Sequence, residues 1–171
     1  VTALAAIPVG VVVARRKAES QWIDYTWQPV SVLIGLPETP PWTLLSDDGA
    51  TATFYGGAAA LELHTADTGN YRDNLAGDNA LWVVLEPTEG DPPYRLARVT
   101  ADPSEGEANT ETGINMVDKI PMPEAIRDLV AAFVAEHHVE QVFYKRKRKA
   151  ADAEALARRN PGRGPRRESE P

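Results

Sequence analysis

Few side chains in this sequence are of types that do chemistry, and their spacing decides what that chemistry is. Glu62 and His64 stand two apart in Ala58–Thr65, where Leu61 and Leu63 alternate with them. Residues two apart on a strand share a face, so the pair reads as an imidazole held by a carboxylate, the arrangement of a general base. The same placement also describes a solvent-facing histidine. His137 and His138 are adjacent; on a helix they diverge by about 100° and do not converge on one metal. A place near a helix C-terminus, where a cation is favoured, is their simpler reading. Asp102, Glu105, Glu107 and Glu111 offer a weak site for a hard cation or an ordinary solvated loop. Trp22, Trp27, Trp42 and Trp82, with five tyrosines, supply either a ligand pocket or the core and rim of a β-rich domain. A run of five cations, Lys145, Arg146, Lys147, Arg148 and Lys149, permits contact with a polyanion by counterion release or docking on an acidic protein surface.

Other chemistries are excluded by composition. The chain has no cysteine, which removes disulfides, thiolate metal sites and cysteine nucleophiles together. Three histidines leave little for a zinc site. The phosphate-loop, dinucleotide, zinc-protease, serine-hydrolase and calcium-loop spacings are all missing. No cofactor or metal is expected.

These residues need a scaffold. The chain of 171 residues is 43% hydrophobic, enough for one domain with a core. Val1–Ala14 is apolar, but no charge precedes it and Arg15, Arg16 and Lys17 follow it. That is the reverse of a signal peptide, so Ile7–Arg15 reads as a buried strand. Residence in the cytoplasm is the matching expectation, and no apolar run has the length of a transmembrane helix. Trp22–Leu36 alternates as a strand should; Pro29 inside it demands an edge or a bulge. Trp42–Ser46 and Thr51–Tyr55 flank Asp47-Asp48-Gly49, a hairpin signal, and Gly56-Gly57 is expected to end the second of them. Ala58–Thr65 is a further strand. Asp67–Ala76 reads as a helical turn, with Tyr71 and Leu75 on one face. Ala80–Glu86 has the continuous apolar character of a strand buried on both faces. Tyr94–Thr100 is an antiparallel strand. Asp102–Asn115 reads as a polar, mobile loop. Pro123–His138 carries the stripe Ile126, Leu129, Val130, Phe133, Val134 and His137 of an amphipathic helix, opened by a proline that loses nothing at the first turn. Val142-Phe143-Tyr144 would be a last apolar anchor.

Strands and helices do not alternate, which argues against a parallel doubly wound sheet. The expected fold is α+β, a mostly antiparallel sheet or small open β-barrel packed by one C-terminal amphipathic helix. The domain spans 1–144. The tail, 145–171, carries a net +6 against −13 for the preceding 144 residues. With Leu156 as its one large apolar residue it reads as partly helical and partly disordered. The acidic body makes nucleic-acid binding the lesser reading of the tail.

The segments IPVGVVVARRKAESQWIDYTWQPVSVLIGLPETPPWTLL, FYGGAAALELHTADTGNYRDNL, LWVVLEPTEG, PYRLARVTADPSEGE and MPEAIRDLVAAFVAEHHVEQVFYKRKR together resemble a proteobacterial family known as domain of unknown function 3305, over roughly 7–159. The resemblance brings no active-site residue. It implies a context: genes beside those of molybdenum-dependent formate dehydrogenase subunits and their maturation chaperones. The expectation is a non-catalytic accessory or assembly protein whose partner is a formate dehydrogenase subunit or its chaperone, contacted through Lys145–Lys149. The alternatives are a binding protein or enzyme for a molybdopterin-nucleotide type of ligand, using the tryptophans with Glu62 and His64, and nucleic-acid binding through the tail.

Overall fold

The computed structural model describes residues 4–35 and 37–139. The valine-rich start forms β1 (Ala5–Lys17), which pairs antiparallel with β2 (Tyr25–Ile34) as an opening hairpin. Pro29 meets both of its conditions at once. β2 is an edge strand, and the register steps from Val12↔Ser31 to Val13↔Pro29, leaving Val30 bulged. β3 (Thr43–Asp47) and β4 (Thr51–Leu63) follow. Their turn is closed by two carboxylates: Asp47 Oδ1 accepts from the Gly49 amide at 2.9 Å, and Asp48 Oδ1 accepts from Ala50 and Thr51 at 3.0 and 2.7 Å. The four strands form one antiparallel sheet in the order β2-β1-β4-β3.

Gly56-Gly57 does not end the strand; β4 runs through it. Val11 pairs with Gly57 and Val12 with Tyr55, so Gly56 is the extra residue of a β-bulge. A side chain at Gly56 would stand 2.8 Å from Val13 Cγ2, and Gly57 has φ +118. Glycine supplies the close approach and the backbone freedom a bulge needs. Pairing with β3 stops at Tyr55, just before the bulge.

The second sheet has the order β6-β5-β7 and is antiparallel. Its centre is β5 (Ala80–Pro87), buried on both faces through Leu85 as its apolar run predicts. β6 (Tyr94–Thr100) and β7 (Met116–Pro121) flank it. β7 was not anticipated: six residues with three half-buried positions and Lys119 in their midst give little alternation to read. The fold is therefore α+β, two open antiparallel sheets with helices. No helix among the described residues is long and apolar enough to cross a membrane.

Among the described residues three α-helices complete it: α1 (Thr68–Ala76), α2 (Pro103–Glu111) and α3 (Glu124–His137). α3 buries Ile126, Val130, Phe133 and Val134, the expected stripe less Leu129, which stays exposed, and His137, which is half-buried. α2 corrects the loop expected at 102–115. Asp102 is its N-cap, accepting from the Ser104 amide at 2.9 Å, and Pro103 opens the first turn. That signature was present in Asp-Pro-Ser-Glu. It was hidden by the absence of an apolar stripe, because the one buried residue of this helix is Gly106. Trp82 fills that space: a Cβ at Gly106 would lie 2.3 Å from its ring.

A single cluster forms the core. Val9, Val11, Val13, Leu61 and Leu63 from the first sheet meet Leu81, Val83, Leu85, Val99 and Ile120 from the second, with Tyr71 and the α3 stripe closing it. Burying branched and aromatic side chains of this kind is worth roughly 1.5–3 kcal/mol each before ordering entropy is subtracted. Asn74, 2% exposed, ties α1 to the second sheet. Its Nδ2 donates to the Ala80 and Ala101 carbonyls at 2.8 and 2.9 Å, and its Oδ1 accepts from Ala80 N at 3.0 Å.

Candidate functional site

Among the described residues two regions gather polar side chains where a sheet ends. The first is a cleft of about 310 Å³ between β4 and β6. It exists because β3 leaves β4 at Tyr55 and β6 pairs with β5, so that among the described residues neither edge has a strand on its far side. Ala58, Ala59 and Ala60 keep its β4 wall low, and Glu62 and His64 stand at one end of it. The alternation read from the sequence holds: Glu62 Oε2 lies 3.6 Å from His64 Nε2. His64 Nδ1 is out of contact with solvent and has no hydrogen-bond partner among the described residues.

Across the cleft, Glu105 receives two donors, Arg98 Nη1 and Thr100 Oγ1, the latter at 2.7 Å. Behind them the His64 amide donates to the Tyr71 hydroxyl at 3.0 Å. Burial pushes that phenol up to about 12, past the opposing effect of the His64 hydrogen bond. Burial, then the Asp102 carboxylate, raises the Asp67 carboxyl above its ordinary value. Among the described residues no three His, Asp or Glu side chains are placed to hold a metal ion.

The second region is the end of the molecule where β1 runs into β2. Val9, Val11 and Val13 line the core, and Arg15 and Lys17 follow along the strand toward the outside. The Arg15 guanidinium lies 4.3 Å from the Tyr25 ring centre, 5.1 Å from Phe54 and 5.8 Å from Trp27. Such contacts favour a cation over each ring face. Arg16 turns the other way and donates to Gln28 Oε1 at 3.1 Å. A recess of about 230 Å³ opens here, walled by Arg15, Lys17 and Tyr25 and by Asp47 of the β3–β4 turn. A neighbouring recess shares Lys17 and Tyr25 and adds Ile23 and Asp24.

The four tryptophans are distributed rather than convergent. Trp27 and Trp42 meet edge to face at 5.7 Å and share an aromatic cluster with Phe54 and Tyr94. Trp42 joins it from a left-handed backbone, φ 68, which costs of order 1–3 kcal/mol and persists where packing enforces it. Trp82 lies under α2. Trp22, expected on a strand, precedes β2 in the turn and is 91% exposed. None of the four lines the cleft that holds Glu62 and His64.

The two C-terminal histidines also part. His137 lies on Phe133 at 4.6 Å. His138 caps α3 and bonds Thr68 Oγ1 and Arg72 Nη1, each at 3.1 Å. Lys145, Arg146, Lys147, Arg148 and Lys149 and the Val142–Tyr144 anchor lie outside the described residues.

Sequence reasoning did not find Arg15 and Lys17. The signal was there: a strand whose apolar face ends in Arg-Arg-Lys must carry two of those cations out along that face.

An α+β domain of two open antiparallel sheets, with one polar cleft between strand edges and one cationic, aromatic end, defines the class. The chain belongs to the family DUF3305, described as protein of unknown function, whose model matches residues 8–149. No curated protein and no solved structure matches the chain.

Proposed function

We propose that the chain is a non-catalytic accessory protein acting by protein–protein contact, and that its client is the molybdenum-dependent formate dehydrogenase system implied by the family resemblance. One observation carries the contact reading. Trp22, 91% exposed, and Ile23, 56% exposed, stand side by side in the β1–β2 turn, beside the recesses that hold Arg15, Lys17 and Tyr25. Tryptophan, tyrosine and arginine are the residues on which protein interfaces concentrate their binding energy. An exposed indole next to an exposed isoleucine gains most when a partner covers both.

The test is co-purification from cells that make the dehydrogenase. The full chain is expected to retain a dehydrogenase subunit or its chaperone. Trp22→Ala with Ile23→Ala should lower that recovery about tenfold or more. A chain ended before Lys145 measures the share of the basic tail. Equal recovery with and without the Trp22 and Ile23 side chains would remove the turn from the interface, and no recovery of either protein with the full chain would end the dehydrogenase reading.

A second reading, small-ligand binding or catalysis in the β4–β6 cleft, is supported by the His64 ring, with Glu62 Oε2 3.6 Å from one nitrogen and no hydrogen-bond partner on the other among the described residues. NMR titration of the His64 ring with and without a candidate pterin nucleotide tests this; a ring unmoved by every ligand tried at millimolar concentration would count against it.

A further inference from the structure

We infer that the paired recesses at the β1–β2 end form a recognition site for an acidic segment of a protein partner, with one carboxylate seated against Arg15 and Lys17 and an adjacent apolar side chain against Ile23 and Tyr25. This rests on the reading of the chain as a protein-contact module and names the chemistry of the partner.

Three observations converge. The first is an unanswered cation. Arg15 is half-buried against three rings at 4.3–5.8 Å, yet among the described residues it makes no ion pair, and neither does Lys17. Arg95, Arg98, Lys119 and Arg127 each have a carboxylate partner. Ring faces attract the guanidinium but leave its in-plane N–H donors unspent. Those donors form the fork that a carboxylate meets with two parallel hydrogen bonds. Stacking also fixes the side chain beforehand, so little freedom remains to be lost on binding.

The second is the charge balance. Asp47 stands in the wall of the same recess, with its carboxylate held by the Gly49 amide. Two cations facing one anion leave a net single positive charge. That matches a monoanionic carboxylate better than a phosphate, whose second charge would lie near Asp47 uncompensated.

The third is the neighbouring recess. It shares Lys17 and Tyr25 with the first and brings in Ile23, so an apolar surface adjoins the cation fork. Asp24 on its rim disfavours a second acid there. The combination selects an acidic residue next to an apolar one, and the exposed Trp22 lies next in the chain to cover a longer partner.

Titrating isotope-labelled full chain with the blocked dipeptide acetyl-Glu-Leu-amide tests the site by NMR. Saturable shifts of the Arg15 Nε–H and Tyr25 amide signals are expected, with a dissociation constant in the millimolar range. Acetyl-Gln-Leu-amide should bind about tenfold more weakly. Arg15→Gln should abolish saturation, and Lys17→Gln, at an exposed position that leaves the aromatic cluster untouched, should weaken binding about threefold. Arg16→Gln, on the other face of the strand, should change nothing. Equal binding of the Glu and Gln peptides, tighter binding of inorganic phosphate than of the Glu peptide, or an equal loss in Arg16→Gln would overturn the inference. If the dipeptide binds but no dehydrogenase subunit co-purifies, only the choice of client fails. If the dehydrogenase is retained undiminished by Arg15→Gln and the dipeptide does not bind, only this site fails.

Discussion

The β4–β6 cleft and the β1–β2 end are both places where a sheet stops and polar side chains collect, yet they handle charge in opposite ways. In the cleft the charges answer one another. Glu105 takes Arg98 and Thr100, Glu62 faces His64, and Asp102 is spent on capping α2. Behind it, Asn74 bonds three backbone atoms of the second sheet and its exit. At the β1–β2 end, Arg15 and Lys17 make no ion pair among the described residues, and Trp22 and Ile23 are exposed. Polar groups that satisfy each other hold a fold together; groups left open beside exposed apolar surface are available to a partner. Paired charges on the cleft side hold the fold, and the β1–β2 end carries the exposed surface proposed above for partner contact.

That division can be broken by mutation, and the largest effects belong on the cleft side. Asn74→Ala strands three buried backbone groups, so a loss of about 3 kcal/mol or more is expected in the urea midpoint analysis. Gly106→Ala drives a methyl into the Trp82 ring, 2.3 Å away, and should cost about 1–3 kcal/mol by the same measurement. Glu105→Ala releases Arg98 and Thr100 at a partly exposed site, for about 1 kcal/mol. Arg15→Gln should cost about 0.5–1 kcal/mol through its lost ring contacts, while removing dipeptide binding. A stability loss for Arg15→Gln larger than that for Asn74→Ala would reverse the division.

The smallest effects are in pH dependence, and they carry opposite signs. The Thr51 and then the Ala50 amide hold the Asp48 carboxyl below its ordinary 3.8. Its contribution is therefore present above that value and lost as pH falls through the lower, folded value. Asp48→Asn should lower the melting temperature slightly at pH 7 and leave it unchanged in strong acid. Asp67, beside the cleft, is raised by burial and by Asp102. Its ionisation costs stability at neutral pH, and that cost disappears as pH falls below 3.8, its ordinary value. Asp67→Asn should raise the melting temperature at pH 7 and not in strong acid. Thermal melts at the two pH values read both.

Much of this scaffold was legible because local rules and tertiary packing agreed. The β3–β4 turn follows from Asp-Asp-Gly, the bulged edge of β2 from Pro29, the burial of β5 from its unbroken apolar run, and α3 from its stripe. The misreadings share a cause. α2 buries a glycine backbone under a ring and leaves no periodic apolar signal. Gly56-Gly57 looked like a terminator because glycine marks both breaks and bulges, and only the partner strand distinguishes them.

The same limit holds for the site. Alternation placed Glu62 beside His64, since two residues on one strand face need no long-range information. That Trp27 and Trp42 stack together, that Trp82 lies under a helix and that Trp22 faces water depends on contacts between segments far apart in the chain. The amino-acid sequence by itself determined the antiparallel α+β character, the hairpins, the amphipathic helix and the division of charge between body and tail, because each rests on periodicity, turn chemistry or a count. The tertiary structure alone decided which charges are neutralised. A salt bridge such as Arg98–Glu105 and an open fork such as Arg15 carry the same formal charge in sequence, and only the meeting of β6 with α2, and of β1 with three aromatic rings, sets them apart.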